Sequence, residues 1–132
     1  MTRAPDTVAE LMTTDVVTVA PTDTVAAALR AMLERDIGSV VIVEDGAPVG
    51  VFTERDLSRR ILDDPHLPDR RLGDQMASPV EMIEPSAEII AAFEHMNSRN
   101  VRRLPVVDED GLLVGIVTER DLLRWVGEVA NE

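Results

Sequence analysis

The sequence predicts an α/β (α+β) protein: two tandem β-α-β-β-α repeats whose sheets pack together about a pseudo-two-fold axis. Three observations carry this. The pentapeptide Thr-Glu-Arg-Asp-Leu stands at residues 53–57 and again at 118–122. Gly46 and Gly50 match Gly111 and Gly115 at the same offset of 65, while Met12, Pro21 and Met32 match Met76, Pro85 and Met96 at 64. One extra residue in the second turn explains the change, and a fixed period is the mark of a duplicated unit. Lastly, strand-like and helix-like apolar patterns follow in the same order in both halves. The repeats span residues 8–62 and 71–128, with a polar, proline-marked linker at 63–70. A unit of about 55 residues does not bury its sheet alone, so the two halves should share a core.

Each element has its own local reason. Residues 16–19 (Val-Val-Thr-Val) read as a strand that ends before Pro21. Thr22 can cap the next helix, with Asp23 in its first turn where the helix dipole favours negative charge. Val25, Ala28, Leu29, Met32 and Leu33 give that helix one apolar face, and Ser86, Glu88, Ile89, Ala92, Phe93 and Met96 repeat the scheme. Two apolar runs around Asp45-Gly46 read as a β-hairpin, repeated around Glu109-Asp110-Gly111. The pentapeptide then opens a closing helix, through Leu62 in one repeat and about Val129 in the other.

Composition excludes several functions. No apolar run among the 132 residues approaches the length of a membrane span, and the N-terminus lacks the apolar stretch of a secretory signal. The absence of Cys removes thiol catalysis, disulfides and cysteine metal sites. A cytoplasmic location is expected. Twenty-five acidic residues face 13 basic ones, all of them Arg, for a net charge of −12. Such a field repels nucleic acid and anionic membranes, and any anionic ligand needs Arg gathered locally. The two histidines, His66 in the linker and His95 on a helix, lack metal-ligand spacing. No Ser-His pairing or Gly-rich phosphate loop is present. The chain therefore reads as a non-enzyme, with no catalytic or metal-ligating residues and no required cofactor.

The run Asp15-Val16-Val17-Thr18-Val19-Ala20-Pro21, the run 101–108 (VRRLPVVD) and the run 115–122 (GIVTERDL) together resemble the cystathionine-β-synthase-type (CBS) domain pair, or Bateman module. The resemblance covers about residues 8–128. It implies clefts between paired sheets that take an adenine-containing ligand: AMP, ADP, ATP, NAD(H) or S-adenosylmethionine. It also implies that Asp56 and Asp121 hold ribose hydroxyls, and that Thr53 and Thr118 meet phosphate. The chemistry is sound, since a carboxylate can accept from two vicinal hydroxyls and a helix N-terminus favours an anion. The same Thr-x-x-acid pattern is also a capping box.

Arg102 and Arg103, at the start of the second repeat's middle strand, are expected to meet phosphates, because a guanidinium stays charged and can bond two oxygens. Their rival reading is a solvated strand end paired with acids. Gly38 and Ser39 occupy the matching positions of the first repeat, so the two sites should be unequal. Val51 and Ile116 would line an adenine slot with Val16 and Val80, though all four also suit a plain core. Thr14 and Ser78 could add hydroxyl or backbone contacts. The expected function is a nucleotide-responsive regulator acting on a separate effector protein. The alternative is a ligand-free module for dimerisation or partner docking. Leu57, Ile61, Leu122, Trp125 and Val126 would supply an apolar helical surface for a homodimer.

Overall fold

The computed structural model describes residues 5–76 and 80–130. The elements in order are α1 (Val8–Leu11), β1 (Thr18–Val19), α2 (Val25–Arg35), β2 (Ser39–Glu44), β3 (Ala47–Thr53), α3 (Glu54–Arg60), α4 (Ile89–Arg99), β4 (Arg103–Val107), β5 (Leu113–Thr118) and α5 (Glu119–Ala130). Two 3₁₀ turns, Leu67–Asp69 and Leu72–Asp74, lie between α3 and α4. The mixed α/β class expected from the sequence is what forms. No described helix is long and apolar enough to cross a membrane.

The chain forms two compact units, and these are not the contiguous repeats. One is Val16–Val80; the other joins Met1–Asp15 to Glu81–Glu132. The lead segment of each repeat thus belongs to the body of the other. The seating is duplicated too. In the composite unit Val8 N donates to Ala87 O, Ala9 N to Pro85 O, and Ile89 N to Asp6 O. In the 16–80 unit Leu72 N donates to Asp23 O, Gly73 N to Pro21 O, and Val25 N to Arg70 O. Each bond in one set has its counterpart 64 residues away in the other. Val8 and Leu72, at matching positions, are both fully buried.

In the 16–80 unit the sheet order is β1-β2-β3, with β1 parallel and β3 antiparallel to β2. Its core gathers Val25, Ala28 and Met32 of α2, Val40, Ile42 and Phe52 of the hairpin, and Leu67 and Leu72. The hairpin closes on Asp45-Gly46, both at positive φ (53° and 81°), the pairing a two-residue turn requires. The composite unit has a two-stranded sheet, β4-β5. Its core is Val8, Ile83, Ile89, Ala92, Met96, Leu104, Val106, Val117 and Leu122. The expected first strand of this repeat shrinks to a single parallel bridge, Ile83 to Val106.

Local signals misplaced two helix starts. Thr24, not Thr22, caps α2 by accepting from Ala27 N at 3.1 Å, while the Asp23 carboxylate takes Ala20 N at 2.8 Å. Glu88, not Ser86, precedes α4. Both helices end on a residue in the left-handed region, Asp36 and Asn100, each at φ 53°. The next amide in each case, Ile37 or Val101, returns to the carbonyl of Met32 or Met96, closing a Schellman turn. In the linker, Asp64 accepts from Arg70 Nε (3.1 Å) and Nη2 (3.4 Å).

Candidate functional site

Both T-x-x-D motifs stand at a strand-to-helix junction. β3 runs into α3 through Thr53, and β5 into α5 through Thr118. In the 16–80 unit Thr53 Oγ1 accepts from Asp56 N (3.1 Å) and the Asp56 carboxylate accepts from Thr53 N (2.9 Å). In the composite unit Asp121 Oδ2 accepts from Thr118 N (2.9 Å) and from its hydroxyl (3.0 Å), while Thr118 Oγ1 accepts from Asp121 N (3.3 Å). The capping box foreseen as the rival reading is therefore present in both copies. It does not exhaust either carboxylate, which has about four lone-pair positions. Oδ1 of Asp56 has no partner among the described residues, and Oδ1 of Asp121 lies 3.8 Å from Arg124.

The helix termini offer less to a phosphate than their dipoles suggest. The first amide of α3, Glu54 N, donates to Gly38 O (3.0 Å), and Glu119 N of α5 donates to Arg102 O (2.8 Å). The third is held by the capping Thr. Among the first three amides of each helix, only Arg55 N and Arg120 N lack a partner among the described residues. Side-chain cations consequently matter more for any anion here.

Each strand end lies beside its T-x-x-D motif in the ladder. Arg103 is the ladder partner of Thr118, and Ser39 is the ladder partner of Thr53. The two ends differ in charge. A side chain at Gly38 would meet Glu54 Oε1 at 3.0 Å, so an acid overlooks that end. Arg102 and Arg103 stand at the equivalent end of β4, and Glu119 takes the place of Glu54 at the head of α5.

Strand alternation decides the place of the apolar candidates. Phe52 and Val117 are fully buried in their cores. Val51 and Ile116 precede them, so they face the other side of the sheet. Both are half-buried, and neither belongs to its unit's core cluster. Reading them as plain core of their own unit does not hold. Val16 is half-buried next to Val17, whose carbonyl accepts from Val41 N. Val80 is half-buried immediately before Glu81. Thr14 is exposed and follows Thr13, which bridges to Ile116. Ser78 lies outside the described residues.

Some contacts were not foreseen. His95 Nε2 donates to Glu81 Oε2 at 2.7 Å, and Arg99 Nε lies 3.7 Å from Glu81 Oε1. The His95 hydrogen bond, first of all, holds the Glu81 carboxyl below the ordinary value of 4.5; partial burial opposes this and Arg99 adds to it. Trp125 Nε1 donates to Pro5 O at 2.7 Å and its ring packs against Phe93 at 6.3 Å. A groove in the composite unit, lined by Asp6, Thr7, Ser86, Glu88, Ile89, Ile90 and Trp125, contains none of the sequence-predicted site residues.

Two bodies that share an α-β-β-α order, led by a strand in one and a single bridge in the other, each carry a capped T-x-x-D junction beside a strand end and define a tandem-repeat module. The chain belongs to the CBS domain family, whose model matches residues 8–63 and 71–128. It is 41% identical over 119 residues to an uncharacterised protein of Methanopyrus kandleri, covering 89% of this chain and 61% of that one. The chain thus spans less than two thirds of that relative. It is 32% identical over 125 residues to the CBS domain-containing protein YhcV of Bacillus subtilis, covering 95% and 87%. Among solved structures it is similar to CBSX2 in complex with AMP, with a TM-score of 0.80, 27% identity, and coverage of 96% and 99%. CBSX2 is a protein of Arabidopsis thaliana. The CBS domain pair of protein MJ0100, in complex with 5′-methylthioadenosine and S-adenosylmethionine, has a TM-score of 0.84 with 23% identity and coverage of 95% and 99%, a likeness of fold alone.

Proposed function

We propose that this chain is a cytoplasmic regulatory module that binds an adenine-containing ligand and reports it to a separate effector protein, without catalysing a reaction. The carrying observation is the junction in the composite unit. There a part-buried Asp121 carboxylate with spare lone pairs, a capping Thr118 and its ladder partner Arg103 stand together at the end of one strand pair. Asp121 supplies acceptors for ribose hydroxyls and Arg102 with Arg103 supply charge for phosphate. Ile116, turned away from its own core, offers apolar surface to adenine at this junction, and Val51 does the same at the junction of the 16–80 unit. The AMP complex of CBSX2 makes AMP the first ligand to try; ADP, ATP, NAD(H) and S-adenosylmethionine share its adenosine. The 16–80 junction keeps its carboxylate but has Gly38 and Ser39 where the other has Arg102 and Arg103, so it suits adenosine without a phosphate better.

A thermal-shift screen over these ligands tests the reading. A ligand at 100 times its dissociation constant adds about 2.7 kcal/mol, a shift of several degrees for a chain of this size. No shift from any of them at millimolar concentration favours the second reading, a ligand-free docking module.

The proposal includes a homodimer, with its surface reassigned. Of the five residues expected to form it, Leu122 is buried, and Leu57, Ile61 and Trp125 pack against their own cores. Only Val126 remains exposed (47%), joined on α5 by Leu123 (62%) and Val129 (42%). Light scattering at micromolar concentration should give twice the 14.5 kDa chain mass, and Leu123→Glu should halve it.

A further inference from the structure

The lead segment of the composite unit ends on a predicted site residue, and its seating there is tight. Thr13 exchanges two backbone hydrogen bonds with Ile116, Thr13 N to Ile116 O and Ile116 N to Thr13 O, both 2.9 Å. Thr13 thereby pairs with β5, and Thr14 follows directly. Just before the pair, Met12 lies on Gly115. A Cβ at Gly115 would stand 2.6 Å from Met12 Sδ, 2.9 Å from its Cγ and 3.0 Å from Thr13 O. The last of these atoms is the acceptor for Ile116 N. The other unit repeats the arrangement: a Cβ at Gly50 would stand 2.5 Å from Met76 Sδ. Gly115 is thus required by close approach of the backbone, and any side chain there presses on both the thioether and the pairing carbonyl.

We infer that Gly115 and Met12 are positioning residues for the ligand site. The thioether resting on bare backbone sets how closely Thr13 approaches Ile116, and so places Thr14 and Ile116 toward the adenosine. Methionine suits this role because its unbranched, polarizable chain can lie along a strand where a β-branched residue cannot. The inference rests on the nucleotide reading given above, and its test separates the two.

The experiment compares wild type, Gly115→Ala, Met12→Ala and the double variant by AMP affinity and by amide hydrogen exchange on the full chain. In Gly115→Ala the amides of Thr13 and Ile116 should exchange faster while the β4–β5 ladder stays protected. AMP affinity of the folded protein should fall on the order of tenfold, about one hydrogen bond in free energy. The double variant should recover part of both, since two of the three close contacts are gone and only the carbonyl contact remains. A merely structural role would lower melting temperature in each variant without changing the affinity of folded protein, and would show no recovery; that result overturns the inference. If wild type binds no AMP, the nucleotide reading fails, and unchanged exchange at Thr13 and Ile116 would overturn the seating as well. Should Gly115→Ala not fold, the double variant carries the same comparison against Met12→Ala.

Discussion

At Asp121 one carboxylate oxygen already accepts two hydrogen bonds from Thr118, while the other has only a distant Arg124. A residue can cap a helix and still present acceptors, which is why the pattern alone could not choose between the two roles. The nearby cation is easier to isolate. Arg103 faces Thr118 across the ladder, so Arg103→Ala should weaken AMP far more than adenosine, by about 1.5–3 kcal/mol for a charge-assisted bond. Calorimetry with both ligands checks this; equal losses would make Arg103 structural. Glu81 gives a pH signature. Its carboxyl is depressed in the folded state, chiefly by His95, so its stabilisation is complete above about 4.5 and is lost as pH falls through the folded value. Urea unfolding between about pH 6 and pH 3 should therefore show a steeper acid loss in wild type than in His95→Ala. Parallel curves would remove the pair from the account. Its partners are 14 residues apart, and no sequence spacing announces such a contact.

Among elements, legibility followed the range of the forces involved. Asp45-Gly46 marks its hairpin because both residues tolerate positive φ, a local property. Met32 and Met96 disclose buried helix faces because period is also local. Helix starts slipped by two residues where Thr22, Asp23 and Thr24 all compete to cap, and only the geometry favours Thr24. The second repeat's first strand is shorter than its sequence suggests: Val80, Met82 and Ile83 are apolar enough for a strand, but among the described residues only Ile83 bridges to β4. The exchange of lead segments was illegible: Val8 and Leu72 are apolar in either arrangement, and nothing local says which body buries them. Likewise Val51 and Ile116 lie in apolar runs that suit a core, and the burial of their neighbours Phe52 and Val117 turns them to the other face of the sheet. The candidate carboxylates and threonines are legible because they repeat, and the arginines because Gly38 and Ser39 stand opposite them, whereas in the sequence Gly115 and Met12 disclose register alone.

For the whole molecule the governing fact is charge. At a net of −12 the overall field repels an anionic ligand, so binding depends on cationic contacts gathered at the site. That puts the weight on one junction, the one with arginines, and makes ribose recognition by Asp121 the part of the account that charge cannot supply by itself. The decisive measurement is calorimetric titration of AMP into wild type and Asp121→Ala at fixed salt. The account predicts saturable binding to wild type and a loss on the order of tenfold to a hundredfold in a variant that keeps its fold. Equal affinity of the two proteins, or no saturable heat from wild type with AMP or any other adenosine ligand, would contradict it.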